Sequence, residues 1–326
     1  MIASPPHSKA PSRARRLTNA EADKGAIDCL PLRGKLLYDP FAAELFALDD
    51  THASFAGQRS LMTPSRTLDE LIAHFETMLH TSTYDDSTGN GLLVRGRSSV
   101  RCIGAALNTS FATIDAAIER GVDCLFVHHA PWASIDLDLR APKLERLRRE
   151  GISLYAAHEA LDRVSAQSVS AVLARLVDLT VEREGQDDLV ISVAPPMTFD
   201  AWTALVAERL ATPVRAWPNA PDFQRVAVVP GGGGSTEYLA KAIALGCDTF
   251  FTGEGSLYTE LFAREQRLSL VLASHDATEF PGVCHFVRSV AAALGLDWHQ
   301  IQEAAFITGG GHAPIEHGRR VSSNER

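Results

Sequence analysis

Residues 117–129 read Ala-Ile-Glu-Arg-Gly-Val-Asp-Cys-Leu-Phe-Val-His-His: the end of an amphipathic helix, a glycine turn and a short apolar strand closed by two histidines. The turn is at Gly121, and the strand precedes His128 and His129. A helix that leads into a buried strand is typical of α/β proteins, in which helices cover the faces of a sheet. The stretch therefore predicts an α/β fold with polar side chains at a strand end.

The same unit occurs twice in the chain. Ala117-Ile118-x-x-Gly121-x-Asp123-x-x-Phe126 is matched 125 residues later by Ala242-Ile243-x-x-Gly246-x-Asp248-x-x-Phe251. A second match follows in the same order, between Ala156-Ala157-His158-Glu159-Ala160-Leu161-Asp162 and Ala273-Ser274-His275-Asp276-Ala277-Thr278-Glu279. Two ordered matches predict two related α/β halves with polar clusters at equivalent strand ends. We interpret Asp123 and Asp248 as solvated acids in turns.

Apolar strands and amphipathic helices alternate on both sides of the repeat, which predicts a largely parallel or mixed sheet. The predicted strands cover residues 100–107, 122–127, 152–157, 189–193, 225–229, 247–252 and 269–273. The predicted helices cover residues 110–120, 141–150, 165–178, 200–210, 235–245 and 283–294. Because Pro281 disfavours helix at the residue before it, we expect Glu279 on the loop that leads into the last of these helices.

Composition and charge narrow the class of protein. The 326 residues are 45% hydrophobic and 22% charged, as in an ordinary globular protein, and the net charge of −9 disfavours binding to nucleic acid or anionic membranes. The five cysteines are odd in number and include no CxxC pair, which is unlike a disulfide framework or a thiolate zinc site and favours the cytoplasm. No apolar run approaches the roughly 18 residues of a spanning helix.

The chain divides into three parts. Residues 1–66 are an N-terminal extension of unknown function, residues 67–308 form the compact fold in lobes of about 67–180 and 181–308, and residues 309–326 are a polar, glycine-rich flexible tail. Basic side chains precede the first acid, Glu21, so an organelle transit peptide is an alternative to an ordinary basic N-terminus.

Three clusters of histidine and carboxylate side chains each follow a predicted strand. In chain order they are His128-His129, His158-x-x-x-Asp162 and His275-x-x-x-Glu279. Neighbouring strand residues point to opposite faces, but at a strand end both histidines can turn toward one cavity. Each cluster alone is compatible with structural or solvated side chains. Together they predict a site for two divalent ions, because imidazole and carboxylate suit zinc, iron or manganese and carboxylates can bridge two ions.

Hydrolysis is the reaction class that such a site suggests, because two ions about 3.5–4 Å apart activate water and polarise a carbonyl, C=N or phosphoryl group. The candidate nitrogen ligands are His128, His129 and His275, and the candidate oxygen ligands are Asp162 and Glu279. His158 either orients a ligand or moves protons beside the metals, or it is a structural histidine.

A glycine-rich loop is the third feature that could take part in binding or catalysis. The strand at 225–229 leads through Pro230 into Gly231–Gly234, Ser235 and a helix, so backbone N–H groups could bind an anion. Gly232, Gly233, Gly234 and Ser235 are therefore candidate substrate or anion ligands; the alternative is a tight turn without a ligand. The loop matches neither a Walker A motif nor the dinucleotide fingerprint, so a nicotinamide enzyme is the weaker alternative.

These motifs together resemble the Nif-three-like proteins, also described as dinuclear metal centre hexameric proteins or GTP cyclohydrolase I type 2 homologues. The resemblance covers residues 68–307 and rests on four stretches: residues 121–129, residues 155–162, the Gly231–Ser235 loop, and residues 246–282 with their Gly253-Glu254 and His275-to-Glu279 motifs. The chain departs from the family pattern at Asp86–Asn90, where an aromatic-Asp-Asn segment is usual, and at Ala130 after the histidine pair.

The resemblance implies two interlinked, pseudo-symmetric α/β lobes with mixed sheets and two divalent metals per chain. It also implies that His128, His129, Asp162, His275 and Glu279 are the ligands, and that the protein is a toroidal homohexamer. The implied activity is that of a cyclohydrolase-like hydrolase acting on a small nucleotide-like or heterocyclic substrate. The contrasting hypothesis is an oligomer without turnover that binds metal for storage, delivery or regulation.

Overall fold

In the computed structural model, which describes residues 64–84, 89–164, 167–183 and 189–303, most strands belong to two mixed sheets and one short pair stands apart. The described strands are β1 (Arg66–Thr67), β2 (Gly91–Val94), β3 (Ser99–Val100), β4 (Cys102–Asn108), β5 (Cys124–His129), β6 (Ser153–Ala156), β7 (Thr180–Arg183), β8 (Val190–Val193), β9 (Arg215–Trp217), β10 (Arg225–Val229), β11 (Thr249–Thr252), β12 (Ser269–Leu272) and β13 (Asp297–Ile301).

Most of the longer helices begin at a side-chain cap. Ser or Thr side chains accept a hydrogen bond from a backbone N–H of the first turn in most of the longer helices, for example Thr67 from Glu70 and Ser274 from Ala277. The described helices are α1 (Leu68–Leu79), α2 (Phe111–Glu119), α3 (Ala133–Asp136), α4 (Arg140–Glu150), α5 (Glu159–Asp162), α6 (Val169–Leu176), α7 (Phe199–Leu210), α8 (Thr236–Ala244), α9 (Leu257–Glu265) and α10 (His275–Leu294).

The first sheet has the strand order β13-β4-β5-β6-β2, parallel except for the antiparallel edge strand β2. One face packs on α1 and α10 around Phe75, Phe126 and Phe286. The other face packs on α2 and α4, where Ile114 and Leu147 are fully buried. Because both faces are covered, the central strands are apolar along their whole length rather than alternating.

The second sheet has the order β7-β8-β10-β11-β12-β9, with β10, β11 and β12 parallel. Helices α6 and α7 cover one face around Trp202, and α8 and α9 cover the other around Phe250. The two lobes are interlinked, because β13 follows the second sheet in the chain but pairs with β4 in the first. Helix α10 likewise leaves the second sheet and contributes Phe286 to the core of the first.

The repeated glycines and acids have matching structural roles. Gly121 and Gly246 both have positive φ angles, 66° and 78°, where the chain turns from a helix into β5 or β11. Asp123 Oδ2 accepts hydrogen bonds from the backbone N–H groups of Arg101 and Cys102, and Asp248 Oδ2 accepts from those at the start of β10. Our interpretation of Asp123 as a solvated acid is wrong, because the residue is 3% exposed and holds the start of β4.

Each of the seven predicted strands and six predicted helices is present. The shifts at the ends are small except in the last helix, which begins at His275 and not at the predicted residue 283. The expectation that Glu279 lies on a loop is wrong, since it lies within α10 and Pro281 is inside that helix. The Ser274 cap and the burial of α10 against the first sheet outweigh the single hydrogen bond that proline removes. The flexible tail at 309–326 and nearly all of the 1–66 extension lie outside the described residues.

No helix in the described part of the chain has the length and apolar character needed to cross a membrane. The four cysteines within the described ranges, Cys102, Cys124, Cys247 and Cys284, are buried and form no disulfide with one another.

Candidate metal centre

The histidine pair closes β5 between its two parallel neighbours, β4 and β6. The His128 side chain is fully buried, and its Nδ1 lies 2.9 Å from the backbone oxygen of Ala157. Because a carbonyl oxygen only accepts, His128 Nδ1 carries the proton and donates it. The other nitrogen, Nε2, therefore has a free lone pair, and it lies 3.4 Å from Asp162 Oδ1 and 3.9 Å from Glu279 Oε1.

The second histidine of the pair reaches the same place. The rings of His128 and His129 lie 5.0 Å apart, and His129 Nε2 is 3.2 Å from Glu279 Oε2. On its far side, His129 Nδ1 lies 2.7 Å from Asn108 Oδ1, at the end of β4. The strand end thus aims two imidazole Nε2 atoms at one carboxylate.

Helix α10 supplies the third imidazole and that carboxylate. His275 and Glu279 are four residues apart and therefore share one face of the helix. His275 Nε2 lies 3.1 Å from Glu279 Oε2, and His275 Nδ1 lies 3.3 Å from Glu254 Oε1. Each of the three histidines thus has an oxygen atom beside Nδ1 and presents Nε2 to Glu279.

The His158-to-Asp162 cluster forms the short helix α5 after β6. Asp162 faces His128, whereas the His158 ring stacks on the His128 ring at 4.7 Å and is one-third exposed. The backbone N–H of His158 donates to Asn90 Oδ1 at 2.8 Å. Asn90 is the last residue of the segment in which the chain departs from the Nif-three-like pattern, and residues 86–88 of that segment lie outside the described residues. Trp132 completes this side of the site, 5.2 Å from the His158 ring.

The glycine-rich loop joins β10 to α8 directly beside the carboxylate. Gly231 has a φ angle of 58°, and a Cβ atom there would overlap Glu279 Oε1. Of the four predicted anion ligands, Gly232 has free space where a side chain would lie. A Cβ atom there would come no nearer than 3.9 Å to His275 Cε1. Gly233 packs on Val229, Gly234 on the backbone of Glu254, and Ser235 caps α8. Anion binding by this loop stays a prediction.

Burial and the neighbouring charges shift the pKa values of the central groups. Burial lowers the pKa of His128 to about 3, so this imidazole is neutral at pH 7. Burial alone would raise the pKa of Glu279, but the neighbouring imidazoles of His128, His129 and His275 lower it overall. Burial would lower the pKa of His275, yet the neighbouring carboxylates of Glu279 and Glu254 raise it to about 9. The centre therefore favours a cation, either a proton or a metal.

The donor set fits a metal ion. His128 Nε2, His275 Nε2 and Glu279 Oε2 are buried, and none has a hydrogen-bond partner within the described residues. Two groups of potential ligand atoms lie within 4.8 Å of one another: His129 with His275 and Glu279, and His128 with His129 and His158. Converging lone pairs and a carboxylate repel one another unless a cation lies between them. A histidine and glutamate cluster that could hold metal is thus present.

Comparison with known proteins identifies the family of the chain. The sequence profile of Duf34/NIF3 (NGG1p interacting factor 3) matches residues 66–305. The chain belongs to the Duf34/NIF3 family. Two curated NIF3 relatives, both named GTP cyclohydrolase 1 type 2 homolog, are from Allochromatium vinosum and Deinococcus radiodurans. They are 32% and 30% identical, over 72% and 71% of this chain and 94% and 90% of their own lengths.

Solved structures give the same NIF3 fold. Protein ybgI, described as of unknown function, is 28% identical with a TM-score of 0.68 and covers 73% of this chain and 98% of its own. TTHA1606 from Thermus thermophilus is 29% identical with a TM-score of 0.61 at the same coverage. The predicted NIF3 fold, with two interlinked mixed α/β lobes, is confirmed.

Sequence reasoning missed four residues around the candidate ligands. Asn108 contacts His129, Asn90 holds the backbone of His158, Glu254 contacts His275, and Gly231 contacts Glu279. Asn108 carried a usable signal, because it is the first residue after the predicted strand at 100–107 and so sits at the same sheet edge as the histidine pair. Glu254 carried a similar signal, because it comes two residues after the predicted strand at 247–252, directly after Gly253.

Proposed function

We propose that this chain is a dinuclear, divalent-metal-dependent hydrolase with a nucleotide-like or heterocyclic substrate. The observation that supports it best is the convergence of His128, His129 and His275 Nε2 atoms on the buried carboxylate of Glu279. The GTP cyclohydrolase names of the relatives support the substrate class. We also propose the assembly and location expected from the sequence: a homohexamer, in the cytoplasm.

The ligands of the proposed centre are His128, His129, Asp162, His275 and Glu279. Nitrogen and oxygen donors of this kind suit zinc, iron or manganese. Glu279 would offer a carboxylate oxygen on two sides of the site, because its two oxygens face different histidines. Divalent ions there supply activation of water near neutral pH and polarisation of a carbonyl, C=N or phosphoryl group.

The remaining residues of the site bind and orient the substrate and move protons. His158 is one-third exposed beside the buried His128, so it is the proposed proton carrier between the site and solvent. Trp132 lies against His129 and His158 and offers an aromatic edge to a planar substrate ring. The Gly232–Ser235 loop is the proposed contact for a substrate anion.

Metal content per chain tests this proposal. Elemental analysis after chelator-free purification should give close to two equivalents, and Asp162→Asn and Glu279→Gln should both reduce it. Glu182→Gln is the matched control, because Glu182 pairs with Arg225 on the second sheet away from the ligands. We also propose the boundary between the two lobes near residue 180. With this boundary, the metal ligands would come from both lobes.

The second measurement is hydrolysis of nucleotide and heterocyclic substrates as a function of pH. Turnover that is lost in both ligand variants supports the hydrolase. Exchangeable metal without any pH-dependent hydrolysis would favour the storage or delivery hypothesis instead. A chain that binds no metal after reconstitution with zinc, manganese and iron would overturn the proposed centre.

A further inference from the structure

The tautomer of His129 is not set by its immediate neighbour. Its Nδ1 faces the side-chain amide of Asn108 at 2.7 Å. A neutral imidazole nitrogen can donate or accept, and an amide presents either its oxygen or its NH₂ group after a flip. Two arrangements therefore satisfy this contact. Only the arrangement with the proton on Nδ1 leaves His129 Nε2 with the lone pair that a metal needs.

Glu303 removes this ambiguity. Its Oε2 lies 2.9 Å from Asn108 Nδ2, and its Oε1 accepts a hydrogen bond from the hydroxyl of Ser110. An ionised carboxylate accepts hydrogen bonds and donates none. The Asn108 NH₂ group must therefore face Glu303, which turns Oδ1 toward the imidazole and puts the proton on His129 Nδ1.

The pairing of β13 with β4 brings Glu303 to this position. The two strands run parallel with Ile301 opposite Ala106, so the chain that continues from β13 reaches the level of Asn108 two residues later. Glu303 is half-buried there, at the edge of the sheet from which β5 presents the histidine pair. The hydroxyl of Thr109 donates to the backbone oxygen of His129 and fixes the same strand end.

The other two imidazoles have a direct acceptor beside Nδ1, a backbone carbonyl for His128 and the Glu254 carboxylate for His275. His129 differs because its acceptor is a group that can flip. We infer that Glu303 is a positioning residue that, through Asn108, fixes the tautomer of His129 with a free lone pair on Nε2. The inference rests on the proposed function for the use of that lone pair, whereas the tautomer is a property of the chain itself.

The test compares Glu303→Gln with Glu303→Asp. Glutamine keeps the size of the side chain, but its amide can either accept or donate, so the constraint on Asn108 is lost. Aspartate keeps a group that only accepts. Glu182→Gln is a matched control for loss of one charge, because Glu182 lies on β7 in the second sheet.

The primary measurement is the side-chain ¹⁵N NMR spectrum of His129 in metal-free protein labelled at histidine, assigned with His129→Gln. Wild type, Glu303→Asp and Glu182→Gln should show a fully protonated Nδ1, whereas Glu303→Gln should show a bare Nδ1 in part of the molecules, because Glu279 Oε2 can then hold the proton on Nε2. An unchanged single tautomer in Glu303→Gln would overturn the inference, whether or not the protein proves to be a hydrolase.

Zinc affinity, measured by competition with a chelator, is the second measurement. We expect Glu303→Gln to bind zinc up to about 10-fold more weakly than wild type, because the apparent affinity falls with the fraction of molecules that keeps the proton on His129 Nδ1. Glu303→Asp should recover most of that loss. Thermal unfolding of each variant controls for damage to the fold, and a fall in zinc affinity that Glu303→Asp shares in full would contradict the inference.

Discussion

Gly231 lies against the carboxylate of Glu279 with no room for a side chain between them. A Cβ atom at Gly231 would overlap Glu279 Oε1 and lie 2.9 Å from His275 Nε2. The glycine is held in place by its backbone, because its N–H donates to Thr278 Oγ1 and its carbonyl oxygen accepts from the N–H of Glu254. The loop is therefore part of the wall that fixes the two α10 side chains.

Replacing Gly231 with alanine should displace Glu279 and weaken metal binding. Alanine at a φ angle of 58° also costs about 1–2 kcal/mol of stability, because Cβ crowds the following carbonyl in the left-handed region. Gly232→Ala is the matched control, since a Cβ atom there has space and an ordinary φ angle. We expect metal content after dialysis to fall in Gly231→Ala alone. Equal metal content in the two variants would show that the loop does not shape the centre.

Asp123→Asn should destabilise the fold by about 1.5–3 kcal/mol, the usual contribution of hydrogen bonds to a charged group. The buried carboxylate holds two backbone N–H groups at the start of β4, and an amide replaces it poorly. Asp248→Asn, at the equivalent place in the repeat, should cost less because Asp248 is only half-buried. Urea unfolding measures both, with Asp69→Asn on the surface as the control. Equal losses of stability in Asp123→Asn and Asp248→Asn would show that the burial of the carboxylate does not determine the size of the loss.

Trp132 should report metal binding by fluorescence. Its ring lies 5.5 Å from that of His129, whereas the other three tryptophans lie elsewhere: Trp202 in the core of the second sheet, Trp217 on the edge strand β9, and Trp298 near the start of β13, opposite Ile103. A paramagnetic ion such as Co²⁺ quenches an indole at short range. Adding Co²⁺ to metal-free protein should therefore quench wild type and leave Trp132→Phe almost unchanged. Quenching of the same size in that variant would place the bound ion elsewhere.

His285 should make the fold less stable in mild acid. Burial lowers its pKa, and the positive charges of Arg288 and Arg175 lower it further. The unfolded chain therefore binds a proton near pH 6.5 that the folded chain resists, so stability is full above that pH and falls as the pH drops below it. His285→Gln should lose less stability than wild type between pH 7.5 and 5.5 in urea unfolding. An identical pH dependence in the two proteins would contradict this assignment.

The elements predicted from sequence are those that local patterns determine. Each predicted strand in the centre of a sheet combines an apolar run with a turn before it. Both repeat units were visible because Gly121 and Gly246 lie in the turns before equivalent strands. The edge strands β2, β7, β9 and β13 were missed, because they are short or half-exposed and depend on pairing with distant residues. The helical state of Glu279 was missed because Pro281 is a local signal that burial of α10 overrides.

The candidate ligands were predictable, whereas the roles of Glu303 and Gly231 beside them were not. His128, His129, His158, His275 and the two acids carry a repeated pattern at strand ends, which sequence alone reveals. Glu303 has no such pattern, since its role exists only because β13 pairs with β4. Gly231 was visible as part of a loop, but its contact with Glu279 depends on how α10 packs beside β10.

The return of α10 and β13 to the first sheet determines the order of events during synthesis on the ribosome. A nascent chain that stops before α10 has no Phe286 in its first core, and one that stops before β13 leaves β4 as an open edge. His128 and His129 are synthesised about 150 residues before Glu279, so the first lobe is incomplete until that later part of the chain has been made. The proposed metal centre is therefore complete only after the second sheet and α10 have been synthesised.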